Sequence, residues 1–541
     1  MSGWNQSPLP RDQILLFRET LGDRIPENHS ARLLAEILDE LDWSAWERHY
    51  VLVAGQPPIH PKIMAGVILY GLSQGMRSSR RLEWACRHAV DFMWMTEGRC
   101  IDHSTFCDFR TKFQRELKDT FRQIGRTAID MGLMRLNQIA LDGTRVRANS
   151  SPHATASAKT LEKRLSVLDE QIEKMLAEVG QADRSDTGLF GDSVSVSTLP
   201  PELSDIKKRQ ALLRKALQSA QSADAKRQKP KSGSKRSAKV PVADPESAIM
   251  PNKEGGYAPN YNPVAAVDGE CGMIVDADVL NEINEGETVL PTVAHVQASF
   301  DKKPEQFLAD SAFATGANLS ALSEAGIEAL MPVVSAPLPD VNPADRSDPT
   351  VPVPEADWSK LPRRAQTGKL DRAAFVYDEA SDCYHCPQGR QLSFWQVKTK
   401  GRDNGTDSDY RVYQCASCED CGLSSECLSG QSKRRTVSHD QHERFRQAAA
   451  ALLKTERGKE TYARRAHLAE TPNAVIKQVM GLRQFLLRGL EKVRTEWLWA
   501  CTAFNLRKLL TVVGALRAES ALKRVCPPWG VVARQKAAIS A

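Results

Sequence analysis

Two short apolar runs in this chain each end in an aspartate. Ile139-Ala140-Leu141 leads into Asp142-Gly143, and Phe307-Leu308-Ala309 leads into Asp310. A carboxylate at the end of a buried strand is costly unless it is paired, hydrogen-bonded or bound to a cation. Either aspartate taken alone also fits an ordinary turn cap. A third acid, Glu470, stands in a helical stretch that begins near Tyr462 and reaches Lys477. Lys477 lies seven residues beyond Glu470, two helical turns, so both share a face. Glu456, Glu460 and Glu491 have no Lys or Arg at that offset. Pro472 runs against a helix interior and is tolerated if the helix begins around Thr471. Three carboxylates converging on one point can hold two divalent cations about 3.5–4 Å apart, the arrangement that cuts phosphodiesters. Magnesium suits such a site, since it prefers oxygen ligands and keeps several waters; manganese is the expected substitute.

A second cluster is sulfur. Six of the twelve cysteines fall between Cys383 and Cys427, in the order Cys383-x2-Cys386, then Cys415-x2-Cys418-x2-Cys421-x5-Cys427. Paired CxxC knuckles suit tetrahedral thiolate zinc, against the alternative of reduced, empty thiols. Zinc takes four ligands and six are offered. The remaining cysteines, Cys86, Cys100, Cys107, Cys271, Cys501 and Cys526, are scattered and read as core residues.

Helical spacing dominates the first 130 residues. Ser30 is placed to cap a helix carrying Leu33, Leu34, Ile37, Leu38 and Leu41; Pro61 opens a second and Gly75 ends it; a third starts near Ser79, and Asp102 caps another. Leu161, Leu165, Leu168, Ile172, Met175 and Val179 follow a four-three spacing. After a polar break from Gln181 to Thr198, a second helical stretch runs from Glu202 to Lys226, which together give an antiparallel hairpin. The Lys/Ser/Gly-rich segment 226–239 reads as a disordered loop. From residue 262 strands and helices alternate, as in an α/β layer. Residues 337–361 read as a Pro- and Asp-rich linker, and 442–522 as almost wholly helical.

The whole chain of 541 residues carries a net charge of +6, but the charge is uneven. From Lys433 onward there are 22 Lys/Arg against 8 Asp/Glu, a surplus that suits a polyanion and also fits a solvated helix face. The N-terminus lacks an apolar signal region and no unbroken apolar run of about 18 residues occurs, so no membrane is expected. The expected location is the cytoplasm, in association with the nucleoid.

Five stretches together resemble the DDE transposases of bacterial insertion sequences, in the group with an InsH-like N-terminal domain and a cysteine-bearing insert. They are HPKIMAGVILYGLSQGMRSSRRLEWACRH with DHSTFCDFR, then LDGTRVRANSS, NYNPVAAVD, FLADSAFATGANL, and the stretch from Tyr462 through RQFLLRGLEKVRTEWLWACTAFNLRKL. The resemblance implies a ribonuclease-H-like core of α+β or α/β class, with an all-α N-terminal domain, a helical-hairpin insertion and a small cysteine-rich insertion. It implies boundaries at 1–130 for the N-terminal domain and 131–335 for the first part of the core, interrupted by a helical insertion at 155–250. The linker and cysteine-rich insertion then take 336–434, and the helical end of the core 435–541. Asp142, Asp310 and Glu470 take the metal-ligand positions. Tyr462, Arg465 and Lys477 match the signature that grips DNA, and Arg483 and Arg488 of the tail are expected to join them. One departure stands out: four residues separate Arg465 from Glu470, where the family signature has three. Cys386, Cys418, Cys421 and Cys427 are most similar to the family's cysteines, with Cys383 and Cys415 as alternates for one structural zinc.

The implied activity is metal-dependent cleavage at terminal inverted repeats and joining of the 3′ ends to target DNA. The partners are double-stranded DNA and at least a second copy of the chain, since two ends must be brought together. Two alternatives remain open: a non-catalytic DNA-binding descendant, and a nuclease that does not join strands.

Overall fold

The computed structural model describes residues 20–50, 57–190, 201–226, 237–252, 255–333, 342–364, 367–401, 407–428, 430 and 432–525. Seven helices come first: α1 (Ser30–Asp39), α2 (Ser44–Glu47), α3 (Pro61–Ser73), α4 (Ser79–His88), α5 (Val90–Met95), α6 (His103–Lys112) and α7 (Gln114–Asp130). Pro61 occupies the first turn of α3, and Gly75 follows its end with φ +74°. Asp102 caps α6, accepting from the Ser104 amide at 2.7 Å. The α1 cap differs from expectation. His29, not Ser30, precedes the first turn, and its Nδ1 accepts from the Ala31 amide at 3.3 Å. Helix α3 is buried on nearly all sides, as a helix at the centre of a bundle must be.

A central sheet follows, made of β1 (Gln138–Gly143), β2 (Val146–Arg147), β5 (Ala248–Pro251), β6 (Tyr257–Asp268), β7 (Ile274–Leu280), β8 (Gln306–Leu308) and β9 (Glu328–Leu330). Strand β6 runs antiparallel to both β7 and β1, while β1, β8 and β9 are parallel to one another. Helices α10 (Val289–Phe300) and α11 (Gly316–Glu324) make the crossovers. Ala140 pairs with Leu308. Asp142 and Asp310, each two residues further on, therefore reach the same edge of the sheet at the same height. A slip of one residue would turn every side chain of the strand to the other face.

Between β2 and β5 the chain leaves the sheet. A two-stranded ribbon of β3 (Thr155–Ser157) and β4 (Lys239–Pro241) forms the base of a helical hairpin, α8 (Ala158–Phe190) and α9 (Pro201–Lys226). Leu161, Leu165 and Leu168 of the four-three seam pack with Leu213, Ala216 and Ala220. The expected break from Gln181 to Thr198 is overturned over its first ten residues, because α8 continues to Phe190, while residues 191–198 lie outside the described residues. Polarity does not stop a helix; proline does, and none occurs from Ala158 to Phe190. Most of the expected loop at 226–239 lies outside the described residues.

The cysteine-bearing unit is a five-stranded antiparallel sheet, β10 (Val376–Asp378), β11 (Cys383–His385), β12 (Gln391–Gly401), β13 (Asp407–Cys415) and β14 (Thr436–His439), with the short helix α12 (Ser424–Cys427). It has its own core around Tyr384, Leu392, Tyr413 and Val437. Ala344, Val353 and Leu361 are buried in that core too, so the second half of the expected linker belongs to the folded unit.

Three helices close the chain: α13 (Glu443–Lys454), α14 (Glu456–Gln478) and α15 (Leu490–Val525). Helix α15 lies between the sheet and the N-terminal helices. The Trp497 indole donates to the Val264 carbonyl of β6 at 3.2 Å, and the Trp499 indole to the Arg110 carbonyl of α6 at 3.2 Å. One continuous apolar core therefore runs from α1 through α15 into the sheet. Among the described residues, no helix is long and apolar enough to cross a membrane.

Trp497 has no exposed surface. Trp497→Ala should cost about 3–5 kcal/mol by cavity formation and lost burial, read as a lowered urea midpoint. A loss under about 1 kcal/mol would show that α15 does not bind the layers together.

Candidate active site at the sheet edge

Strand β1 delivers Asp142, and the turn after β8 delivers Asp310. Helix α14 crosses the same edge and supplies the groups that meet them. Arg465 donates to Asp142 Oδ1 at 2.9 Å and stands 3.9 Å from Asp310 Oδ2. Asn473 Nδ2 donates to the other oxygen of Asp142 at 3.1 Å. Arg465 and Asn473 are eight residues apart, so both fall on the stripe of α14 that faces β1. Glu470 lies beside that stripe, exposed, and its charge acts on Asp142. Asp142 and Asp310 thus share the edge through Arg465, and Glu470 is near enough for its charge to act on Asp142.

Helix α14 is not interrupted where expected. It runs continuously from Glu456 to Gln478 with Pro472 inside it. Proline removes one backbone donor, and side chains nearby take over carbonyls of the same turn. Thr471 Oγ1 donates to the His467 carbonyl, and Asn473 Nδ2 also lies 3.4 Å from that of Ala469. The continuous helix puts Glu456 and Glu460 several turns away from Glu470, with Glu456 held in an ion pair by Lys459 at 2.9 Å.

The other signature residues flank the acids. The Tyr462 hydroxyl is half-buried against Arg465 and feels Asp310, and burial pushes its pKa up. Lys477 Nζ donates to Thr144 Oγ1 and, at 2.8 Å, to the Arg145 carbonyl, bracing the backbone just after Asp142. Arg483 and Arg488 are exposed on the connection between α14 and α15, where Arg488 Nε donates to the Asn149 carbonyl at 2.9 Å.

Sequence reasoning missed three groups here: Asn473, Asn262 and Glu285. Asn473 was visible in principle, three residues after Glu470 on one helix. Glu285 sits in the loop after β7, where nothing in NEINEGET distinguishes one glutamate from another. Asn262 Nδ2 donates to its Oε1 at 2.6 Å.

Burial is the main force on these acids. It raises the pKa of Asp142; Arg465 opposes that, while the charges of Asp310 and Glu470 add to it. Glu285 is raised by burial and then by Asp310 and Asp142, with the Asn262 hydrogen bond opposing. Such a surplus of negative charge suits a divalent cation. Three buried polar atoms around the acids have no partner: Arg465 Nε, Asn473 Oδ1 and Asn262 Oδ1. Unsatisfied groups of this kind are expected where an ion, its waters or a phosphate completes the site.

The cysteines divide. Cys386, Cys418, Cys421 and Cys427 line one small cavity, with Cys415 also on its wall. Burial raises the thiol of Cys427 to about 11, with Arg435 opposing and Cys418, Cys386 and Cys421 adding to it. The Arg435 amide lies 3.4 Å from Cys418 Sγ. Cys383 faces elsewhere: its sulfur is 3.5 Å from His385 Nε2, and with Asp378 these form a separate group whose ligand atoms lie within 4.8 Å of one another.

Comparison with known families gives two matches. Residues 385–510 match the model described as Transposase DDE domain, and residues 19–112 match the one described as Transposase domain (DUF772). The first match contains Glu470 and the four cavity cysteines; Asp142 and Asp310 lie outside both. Among curated proteins, none matches.

A carboxyl whose folded pKa is raised favours the folded state below its unfolded pKa and loses that contribution as pH rises through the folded value. In chelator-containing buffer, Asp142→Asn should therefore melt a few degrees above the parent at about pH 8, and the gap should close towards about pH 4. A variant that melted below the parent at the higher pH would show that the Asp142 charge is needed to hold Arg465.

Proposed function

We propose, on the premise that the chain is a DDE transposase of an insertion sequence, that it cuts DNA at the element's terminal inverted repeats and joins the 3′ ends to a target. The observation that carries this is the arrival of Asp142 and Asp310 at one sheet edge, where Arg465 and Asn473 of α14 fix Asp142 and the charge of Glu470 on the same helix acts on it. The strand order β7-β6-β1-β8-β9, antiparallel in its first pairs and parallel in its last, supports a ribonuclease-H-like core.

Asp142, Asp310 and Glu470 would hold Mg²⁺ or Mn²⁺. Bound there, the cations supply activation of a water or 3′-hydroxyl and stabilisation of the leaving oxygen. The chain's own residues do the rest. Arg465 offsets the repulsion between the two aspartates. Asn473 fixes the Asp142 carboxylate in rotation. Lys477 locks the turn at Thr144 and Arg145, so the ligand-bearing strand end cannot shift. Exposed Arg483 and Arg488 stand beside this edge, where a phosphate backbone would pass. Double-stranded DNA is the substrate, and bringing two ends together requires at least a dimer.

Glu470→Gln should abolish metal-dependent cleavage of a terminal-repeat duplex, by at least about 100-fold, while leaving binding of that duplex close to the parent's. Cleavage retained by this variant would overturn the assignment of the third acid. Joined products from the parent would separate transposition from simple nuclease action.

Cys386, Cys418, Cys421 and Cys427 would hold one structural zinc. The unit they belong to is small, and four thiols that line one cavity are suited to a cation that offsets their charge once they ionise. Metal analysis of protein purified without chelator should give about one zinc per chain, lost in Cys421→Ser. Protein free of zinc would overturn this assignment.

A further inference from the structure

Gly143 follows Asp142 and pairs with Val264 in the sheet. Its φ is not in the positive range, so the backbone there does not call for glycine. What calls for it is space. A Cβ at this position would lie 2.2 Å from Glu285 Oε2, 2.4 Å from Cδ and 2.5 Å from Oε1. The Glu285 carboxylate therefore rests on the backbone of the residue next to Asp142, a place that any other side chain would fill. Its anchor is Asn262 on β6, which has no exposed surface and donates from Nδ2 at 2.6 Å. The same amide's Oδ1 is buried without a partner. It awaits a donor that the described residues do not supply.

A half-buried carboxylate under the charges of Asp310 and Asp142, eased by the Asn262 amide and by Arg145, is a costly arrangement for a fold that gains nothing else from it. The loop could have placed Glu285 in solvent, as it does its exposed neighbours Ile283 and Asn284. Instead β6 supplies a buried asparagine and β1 a glycine, and both direct the carboxylate to the edge where Asp142 and Asp310 end.

We propose that Glu285 is a fourth carboxylate of the divalent-cation centre, acting with Asp142, Asp310 and Glu470. This rests on reading those three acids as a cation site. Gly143 and Asn262 then serve as positioning residues for Glu285.

The test is Mn²⁺ binding to the full chain, followed by electron paramagnetic resonance. Mn²⁺ prefers carboxylates to thiolates, so the cysteine cavity does not compete. Glu285→Gln keeps an acceptor for Asn262, and its melting curve in chelator should match or exceed the parent's. Its Mn²⁺ affinity should fall about 10–100-fold. Gly143→Ala displaces the carboxylate while leaving Glu285 in place and should lower the affinity in the same direction. Asp142→Asn is the control and should lose binding. If Glu285→Gln and Gly143→Ala bound Mn²⁺ like the parent while Asp142→Asn did not, Glu285 would lie outside the centre and the site itself would stand. If Asp142→Asn also bound like the parent, the cation site would fail and this proposal with it.

Discussion

Repulsion among carboxylates is the constraint around which this structure is organised. One sheet register carries Asp142 and Asp310 to the same edge, and Glu285 is pressed against the same strand end. Burial raises the cost of ionising both Asp142 and Glu285. Arg465 is the chain's own answer, 2.9 Å from one aspartate and 3.9 Å from the other. Its side chain is only 11% exposed, so the interaction is little screened by solvent. Arg465 meets the two aspartates and the charge of Arg145 acts on Glu285, yet the pKa of Asp142 and that of Glu285 both remain raised, an excess of negative charge that suits a cation.

Much of this was legible in the sequence because it follows from local pattern. Ile139-Ala140-Leu141 and Phe307-Leu308-Ala309 are short apolar runs that end in Asp, and parallel pairing brings such ends together. Glu470 and Lys477 could be placed on one helix by spacing alone. The failures have physical causes too. Pro472 suggested a helix boundary, but its lost donor is local, and Thr471 and Asn473 engage carbonyls in the same turn. Glu285 was hidden because its position depends on Asn262 and Gly143, residues distant in sequence whose importance exists only once β6 and β1 are paired. Arg465 was read as a DNA contact from its signature. Its partners are Asp142 and Asp310, the first a relation that spans 323 positions of chain.

The cysteine unit illustrates a different limit. Its sulfurs were legible as a metal motif and the family resemblance favoured four of the six, but spacing alone does not show that Cys383 stands apart from the other five. Strand alternation turns Cys383 and His385 to one face, while Tyr384 goes into the aromatic core with Tyr413 and His439. Cys386, just past the strand, enters the cavity with Cys418, Cys421 and Cys427. The expected linker was misjudged because its Pro-rich composition concealed three apolar residues, Ala344, Val353 and Leu361, that this small core needs.

The N-terminal helices are not a module tethered to the catalytic sheet, and one buried ion pair shows why. Arg77, between α3 and α4, pairs with Glu496 of α15 at 2.8 Å, with side chains 14% and 13% exposed. Arg77 also donates to the carbonyls of Gly481 at 2.8 Å and Gln484 at 2.5 Å. Glu496 accepts from the amides of Leu486 and Leu487. Between them these two side chains hold the connection from α14 to α15, which carries Arg483 and Arg488. That connection in turn bridges to the catalytic sheet, where Gln484 meets Arg147 of β2. A displacement of the N-terminal helices would therefore be felt at the C-terminal end of α14, in the turn that carries Lys477 and two turns from Glu470. The helical layer and the sheet edge are coupled through packed, hydrogen-bonded backbone, not through a flexible linker.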